Sequence, residues 1–463
     1  MAMSAEERQQ MLLTQPVEKI IPKMALPTIC SMLITSIYNM ADTYFVSQIG
    51  TAEASASGTS ASAAVGIVFS VMAMIQALAF MFGMGSGTNV SHLLGMGKRK
   101  EAEVYSAVGF FSAVAAGVLI AVLGNVFNEP LMRLLGATET AMPYALDYAR
   151  YIFLAAPFMM GSLSMNNLLR FQGLATYGMV GIISGGLLNM LLDPLLIFVF
   201  DMGIAGASIA TAISQLTSFV ILLVMCGTHA DAITIHPRNY RPTKQMYAKI
   251  LNNGLPSLGR QGIMSVSTSL LNNAAAVYGD PAIAAFAIVS RCLNFVNSTV
   301  VGFGQGFQPV CGFNYGARKY DRMHRAFSFS VKVTTIVLLV LGAAGFAFAE
   351  PVVTLFRRSD PEVIRIGTET FRIQILTVWA WGFITLSNMY TQAIGYGIRS
   401  TILAAARQGL FLIPTLLVLP NVWGLRRLEV CQPLADVLTL ALAVWMMTKV
   451  IRAQKAQMAQ ETA

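Results

Sequence analysis

Two aspartates, Asp42 and Asp193, stand inside long apolar stretches of the first half of the chain. An ionised carboxylate at mid-membrane costs roughly 2.5–3.5 kcal/mol even on the mildest scale, so its presence suggests a function. Tyr38 and Asn39 precede Asp42 by four and three residues, and Asn189 precedes Asp193 by four. These spacings place each polar group on one face of a helix. The pattern predicts an acidic site within membrane-spanning sequence.

The chemistry that suits such a pair is the handling of a cation. A carboxyl group removed from water holds its proton more tightly, and a second carboxylate nearby strengthens the effect for one of the two. Such a pair holds a proton near neutral pH and releases it when water reaches the site. With oxygens of Asn189 and Thr211, the same carboxylates would instead ligate Na⁺. Both cations stay open, and a purely structural hydrogen-bonding role is the competing interpretation.

The composition is that of an integral membrane protein. Hydrophobic residues make up 55% of the chain and charged residues only 11%, whereas a soluble chain carries about 25% charged residues. Residues 1–16 are polar and contain no apolar segment, so we expect no cleaved signal peptide. The five cysteines form no CxxC motif, and neither disulfides nor a zinc site is expected.

The apolar stretches predict twelve membrane-spanning helices, each needing about 20 residues. They fall approximately at 26–47, 60–84, 104–127, 150–170, 177–200, 204–226, 256–278, 283–305, 326–349, 372–395, 402–421 and 430–450. Basic residues concentrate in segments such as 98–100 and 318–325, which puts both termini in the cytoplasm by the positive-inside rule. The net charge of +9 then reflects loops that face anionic lipid, and no nucleic-acid partner is expected.

The two halves of the chain repeat one another. Three segments recur in the same order: Leu26-Pro27-Thr28 as Leu255-Pro256-Ser257, Ile49-Gly50-Thr51 as Tyr278-Gly279-Asp280, and Phe82-Gly83-Met84-Gly85 as Phe303-Gly304-Gln305-Gly306. Each half therefore has six spans of the same orientation, a parallel repeat that places substrate between the halves. We predict an N-terminal lobe at 1–228, a cytoplasmic linker at 229–249 and a C-terminal lobe at 250–463.

The second half lacks both acids of the first. The repeat pairs Asp42 with Leu271 and Asp193 with Ile413. Asp436 in the twelfth span is a further acid within the membrane. Buried charges are usually paired, so we expect Asp436 to form an ion pair. The candidate bases within spans are Arg260, Arg291 and Arg407.

Four motifs run in order along nearly the whole chain. They are Tyr38-Asn39-Met40-Ala41-Asp42; Asn189-Met190-Leu191-Leu192-Asp193-Pro194 followed by Gly203-Ile204-Ala205-Gly206-Ala207; Gly306-Phe307-Gln308-Pro309 leading to Asn314-Tyr315-Gly316-Ala317; and Arg407-Gln408-Gly409 with Pro414. In order and spacing they resemble the multidrug and toxic compound extrusion (MATE) family, in its bacterial branch.

The resemblance implies an all-α membrane protein with twelve transmembrane helices in two six-helix lobes arranged as a V. It implies alternating-access export of cationic amphiphilic drugs or toxic compounds in exchange for protons or Na⁺. The first-lobe cation site would be formed by Asp42, Asn189, Asp193 and Thr211. Four further residues are expected to support this site or to contact substrate: Tyr38, Asn39, Gln308 and Asn273.

One departure from the family concerns the second lobe. Some members bind a cation there through acids in the seventh and tenth helices. Here the seventh span has Arg260 and Gln261 without an acid, and the interior of the tenth span has none. We therefore expect no cation site in the second lobe.

Other function classes fit less well. A lipid-linked sugar or lipid flippase of the same superfamily is the alternative, but the acids favour a cationic cargo. All four histidines fall at predicted inner loops or inner ends of spans, so an intramembrane enzyme is not expected. We expect a multi-pass protein of the bacterial inner membrane. It would act as a monomer among membrane lipids and need no cofactor beyond the coupling ion.

Overall fold

The chain folds almost entirely into helices. The computed structural model describes residues 4–48, 55–228, 232–356, 360–423 and 425–462, and no strand occurs in these ranges. The long helical segments are α1 (Val17–Ser47), α2 (Ser55–Gly95), α3 (Arg99–Val126), α4 (Met142–Phe171), α5 (Ala175–Pro194), α6 (Gly203–Thr228), α7 (Lys244–Ala276), α8 (Asp280–Gly316), α9 (Tyr320–Ala347), α10 (Pro361–Ile375 and Val378–Ala393), α11 (Gly397–Ala405 and Leu412–Trp423) and α12 (Leu425–Thr462).

The helices agree with the twelve predicted spans. Within the described ranges, ten helices are long and apolar enough to cross a membrane. The other two predicted spans, 256–278 and 372–395, fall on α7 and α10. α10 is interrupted between Ile375 and Val378, so neither part is long enough to cross alone. The predicted all-α fold of twelve transmembrane helices is confirmed.

Two helices carry a π-helical turn beside a proline. Pro194 ends α5 and is followed by the turn Leu195–Val199. Proline has no backbone N–H and its ring collides with the preceding turn, so the hydrogen-bond ladder must rearrange nearby. In α11 the turn Ala406–Phe411 joins the two helical parts shortly before Pro414. Such turns often occur at functional sites.

The described helices form two compact units. The first contains Met1–Met11 and Cys30–Gly254, and the second contains Leu12–Ile29 and Leu255–Ala463. The start of α7 thus belongs to the first unit, and the start of α1 belongs to the second. The lobe boundaries from the sequence stay a prediction. The repeat member Ile49-Gly50-Thr51 lies outside the described residues.

Glycines mark where α7 crosses α2 in the first unit. A Cβ atom added at Gly85 would overlap the carbonyl oxygen of Ile250, and one added at Gly254 would overlap the carbonyl oxygen of Met81. The two helices therefore meet backbone to backbone. A side chain at Gly85 or at Gly254 would block this approach.

The second unit repeats the same packing between α8 and α1. A Cβ atom added at Gly306 would overlap Cα of Ala25. In the register of the sequence repeat, Gly306 corresponds to Gly85 and Ala25 corresponds to Gly254. The glycine-rich motif that recurs in the sequence is therefore a helix-packing motif in both halves.

Gly254→Ala should destabilise the first unit. We expect a loss of about 1–3 kcal/mol, because a methyl group against backbone atoms cannot be relieved by a rotamer change. Gly262→Ala in the same helix is the matched control, since nothing lies within 4 Å of its added Cβ. Alanine in place of glycine should stabilise that helix by about 0.8–1.0 kcal/mol. Thermal unfolding of the two purified variants in detergent measures the difference, and equal midpoints would contradict the close approach of α2 and α7.

One helix lies at the centre of each unit. In the first, α4 packs against α2, α3, α5 and α6, and it contributes the buried side chains Tyr148, Phe153 and Met160 to the core. In the second, α10 packs against α8, α9 and α12, with Phe371 and Trp381 in the core. α4 and α10 are each the fourth helix of their half. Each contributes a side chain to a polar cluster described below, Tyr148 from α4 and Trp381 from α10.

Candidate functional site

The polar centre of the first unit lies between α5 and α6. Asn189 Nδ2 donates a hydrogen bond to Asp193 Oδ1 at 3.2 Å and a longer one to Thr211 Oγ1 at 3.4 Å. The three residues are 3%, 0% and 4% exposed, respectively. The i, i+4 spacing on α5 puts Asn189 and Asp193 on one face, and α6 supplies the threonine. The structure thus brings together three of the four residues that the sequence assigns to a cation site.

The fourth residue, Asp42, reaches the same region from α1. Asp42 and Asp193 are within electrostatic range of each other. Tyr38, one turn before Asp42, packs against α5 at Gly186. A Cβ atom added at Gly186 would lie 3.1 Å from Tyr38 Cδ1. The small residue on α5 therefore lets the two acid-bearing helices come together.

Tyr148 is a member of this site that the sequence does not reveal. It projects from α4, is fully buried, and lies within electrostatic range of Asp42, Asp193 and Tyr38. No motif or helical spacing relates Tyr148 to either acid along the chain. Tyr148 also lies two residues before the predicted fourth span, whereas the helix itself begins at Met142, so nothing in the sequence indicated that its hydroxyl is buried.

Not every oxygen atom of this site has a partner. Asn189 Oδ1 and Asp193 Oδ2 are buried and make no hydrogen bond within the described residues, whereas the buried Tyr148 hydroxyl interacts with the Asp42 carboxylate. A buried polar atom left unpaired costs about 1–3 kcal/mol. The donor set of two carboxylates, an amide oxygen and a hydroxyl fits a proton or Na⁺, the ions that broken transmembrane helices coordinate in transporters.

The charge of the site is also uncompensated. The ion pairs found among the described residues involve neither Asp42 nor Asp193. Two carboxylates without a basic partner create a negative potential in a medium that screens poorly. The arrangement attracts a small cation and disfavours an anion.

The remaining predicted site residues are placed differently. The carbonyl of Asn39 accepts a bond from the Thr43 hydroxyl at 2.8 Å, and its side chain makes no hydrogen bond to the acids within the described part. Gln308 and Asn273 belong to the second unit. Gln308 is buried and donates to Gln392 Oε1 at 3.1 Å, whereas Asn273 is exposed. Their supporting roles stay predictions.

The ion pair predicted for Asp436 is confirmed. Of the three candidate arginines, Arg407 of α11 is the partner, with its Nε atom 2.8 Å from Asp436 Oδ1. The second unit therefore has a charge-balanced pair in its interior, in contrast to the uncompensated acids of the first.

Comparison with known proteins agrees with the repeat and the fold. The MatE family model matches residues 27–195 and 256–417, once in each half and over most of the chain. The two matches begin at Pro27 and Pro256, the prolines that the sequence repeat pairs.

Curated relatives cover most of the chain. The multidrug export protein MepA of Staphylococcus aureus (strain MSSA476) is 27% identical over 410 residues, which is 89% of each protein. The protein of the same name from Staphylococcus haemolyticus is 26% identical over 407 residues, 88% of each.

Solved structures share the fold. A crystal structure of a MATE protein in complex with MaL6 superimposes with a TM-score of 0.90 at 25% identity, over 96% of this chain and 99% of that one. A MOP superfamily transporter from Pyrococcus furiosus superimposes with a TM-score of 0.88 at 25% identity, over 96% of this chain and 98% of that one. That protein is described as having a binding pocket of reverse polarity, which suggests a different function. Together with the family match in both halves, these structures show that the chain belongs to the MatE family of multidrug and toxic compound extrusion transporters.

Proposed function

We propose that this protein is a secondary active antiporter that exports cationic amphiphilic compounds in exchange for protons or Na⁺. The coupling cation would bind at Asp42, Asn189, Asp193 and Thr211. The observation that carries the proposal is the pair of carboxylates in the first unit, the buried Asp193 and the half-buried Asp42, which has no basic partner within the described residues. The MepA relatives are multidrug export proteins, which supports export of drugs as the direction and kind of transport.

The site couples transport through its charge. Burying two unpaired carboxylates is costly, and a bound proton or Na⁺ removes part of that cost. The cation-bound and cation-free forms of the site therefore differ in energy. If they favour opposite faces of the membrane, the cation gradient drives export of a cargo that binds the cation-free form. One charge crossing about 100 mV supplies about 2.3 kcal/mol.

The proposal extends to the membrane, the orientation and the oligomeric state of the protein. We propose that the protein lies in the bacterial inner membrane with both termini in the cytoplasm, and that it works as a monomer. The basic residues of the predicted inner loops support this orientation. The acids support cationic cargo over a lipid-linked sugar, because that cargo would bring phosphate charge to a negative site.

Transport in everted membrane vesicles tests the proposal. We expect a fluorescent cationic dye to be taken up against its gradient when either a pH gradient or a Na⁺ gradient is imposed. The effective gradient identifies the coupling ion, because collapsing it with the matching ionophore should stop uptake. Dye movement that responds to neither gradient, together with saturable binding of a lipid-linked sugar, would overturn the proposal.

A further inference from the structure

Asp436 of α12 is the centre of a complete hydrogen-bond cluster in the second unit. Its side chain is fully buried. Oδ1 accepts bonds from Arg407 Nε at 2.8 Å and Gln432 Nε2 at 3.1 Å. Oδ2 accepts from Trp381 Nε1 at 2.7 Å and from the Thr377 hydroxyl at 2.8 Å. Both carboxylate oxygens are thus satisfied, whereas Asp193 Oδ2 has no partner within the described residues.

The guanidinium of Arg407 is held on two sides. Besides its bond to Asp436, its Cζ atom lies 3.9 Å from the centroid of the Trp381 ring, a cation–π contact that gains strength away from water. The side chain of Arg407 is 14% exposed. The residue belongs to the π-helical turn Ala406–Phe411, so the irregular backbone of α11 presents the cation to α12.

The sequence repeat places this cluster at the counterpart of the first-unit site. Asp193 pairs with Ile413, so Asn189 pairs with Gly409, and Arg407 corresponds to Leu187 in the turn before Asn189. In the first unit, Thr211 of the sixth helix meets α5 at Asn189. In the second, Asp436 of the twelfth helix meets α11 at Arg407.

A second contact supports this register. Tyr38 of α1 packs at Gly186 of α5 in the first unit. The repeat pairs Tyr38 with Ser267 of α7, and the Ser267 hydroxyl donates to the carbonyl of Gln408 in α11. The first helix of each half therefore meets the fifth near corresponding positions, because the repeat pairs Gly186 with Ala406, two residues before Gln408.

We propose that Arg407 is a tethered cation: it permanently neutralises Asp436 and takes, in the second lobe, the place that an exchangeable cation takes in the first. The arginine is covalently attached, so this lobe would bind no coupling ion during the cycle. Removing Arg407 should convert Asp436 into a site for a proton or Na⁺. The comparison with the first lobe rests on the proposed function, but the behaviour of Asp436 after loss of Arg407 does not.

Few other charges face Asp436. On its own helix, Glu429 lies two turns earlier and accepts a bond from the Thr370 hydroxyl of α10 at 3.0 Å. From α10 the groups in contact are the neutral Thr377 and Trp381, and from α11 the group is Arg407 itself. Lys332 of α9, Glu369 and Arg372 of α10 and Arg399 of α11 are exposed. A pH response that requires Asp436 therefore reports on this cluster.

The test uses the full chain with the first-unit acids neutralised. In an Asp42→Asn/Asp193→Asn background, thermal unfolding in detergent is measured between about pH 5 and pH 9, a range that spans the titration of buried carboxylates, with Na⁺ or with choline. The background should respond little to either variable. Adding Arg407→Met should raise the midpoint on acidification, or with Na⁺ over choline, by at least about 3 °C.

Two further variants separate charge from packing. Arg407→Lys keeps a tethered cation and should restore the weak response of the background. Arg407→Met/Asp436→Asn removes both charges and should also be unresponsive. A response that persists without Asp436, or a folded Arg407→Met variant that responds no more than the background, would overturn the proposal.

The proposal also covers a variant that fails to fold at neutral pH. In that case Arg407→Met should fold at low pH, and Arg407→Ala should be recovered at neutral pH by added ethylguanidinium but not by tetramethylammonium. Failure of both rescues, while Arg407→Met/Asp436→Asn folds, would overturn it as well. Failure of dye export in wild-type vesicles affects only the proposed function, because none of these readouts measures transport.

Discussion

Asp193→Asn should abolish gradient-driven export while leaving the folded protein in the membrane. Asparagine keeps the shape of the side chain and its bond with Asn189, which joins atoms 3.2 Å apart in the wild type, but it carries no charge to exchange. Placing a carboxylate charge within the membrane costs several kcal/mol of free energy, and about 1.4 kcal/mol changes an equilibrium constant tenfold. Residual coupled export should therefore fall below about 1% of the wild-type rate. Asp42→Asn should behave in the same way.

The measurement is dye uptake in everted vesicles, normalised to the amount of inserted protein. Asp147→Asn is the matched control, because Asp147 is an exposed carboxylate on α4 beside Tyr148, and its loss should leave export unchanged. Efflux by Asp193→Asn at a near-normal rate under an imposed gradient would remove this residue from the coupling mechanism. Loss of export in the control variant would show that the assay responds to any loss of negative charge.

Local sequence patterns predicted much of the fold and part of the site. Apolar stretches of the right length identify the helices, because burying apolar side chains in lipid dominates their energetics. The spacing of Asn189 and Asp193 placed both on one face of α5, where the structure finds them bonded. Pro194 lacks a backbone N–H, and a π-helical turn follows it at the end of α5. Each of these inferences depends on residues within one or two helical turns.

Features that depend on contacts between distant segments were not predicted. Tyr148 joins Asp42 and Asp193 through the packing of α4, and nothing in its neighbours along the chain reveals this. Three arginines were candidates for pairing with Asp436, and only the arrangement of α11 and α12 selects Arg407. Glu429 is a second buried acid of the second unit. It was missed because the predicted twelfth span begins one residue after it.

The affinity for a cationic drug should rise with pH in the wild type. If a proton and the drug compete for one site or one conformation, each drug that binds the deprotonated form displaces a proton. One displaced proton gives a tenfold change in dissociation constant for each pH unit over which the site is protonated, and two give about a hundredfold change. We expect the tenfold slope, because two close carboxylates rarely both titrate in the same range.

That slope also determines how transport is driven. One proton exchanged for one monovalent drug moves no net charge, so export would respond to the pH gradient alone. Two protons would carry net charge inward and add about 2.3 kcal/mol per 100 mV of membrane potential. Drug binding in detergent between about pH 5 and pH 9 measures the slope, and Asp42→Asn/Asp193→Asn should remove it. For a Na⁺-coupled protein the affinity should fall with added Na⁺ and change little with pH. An affinity that is independent of both pH and Na⁺ in the wild type would show that the acidic pair is not linked to cargo binding.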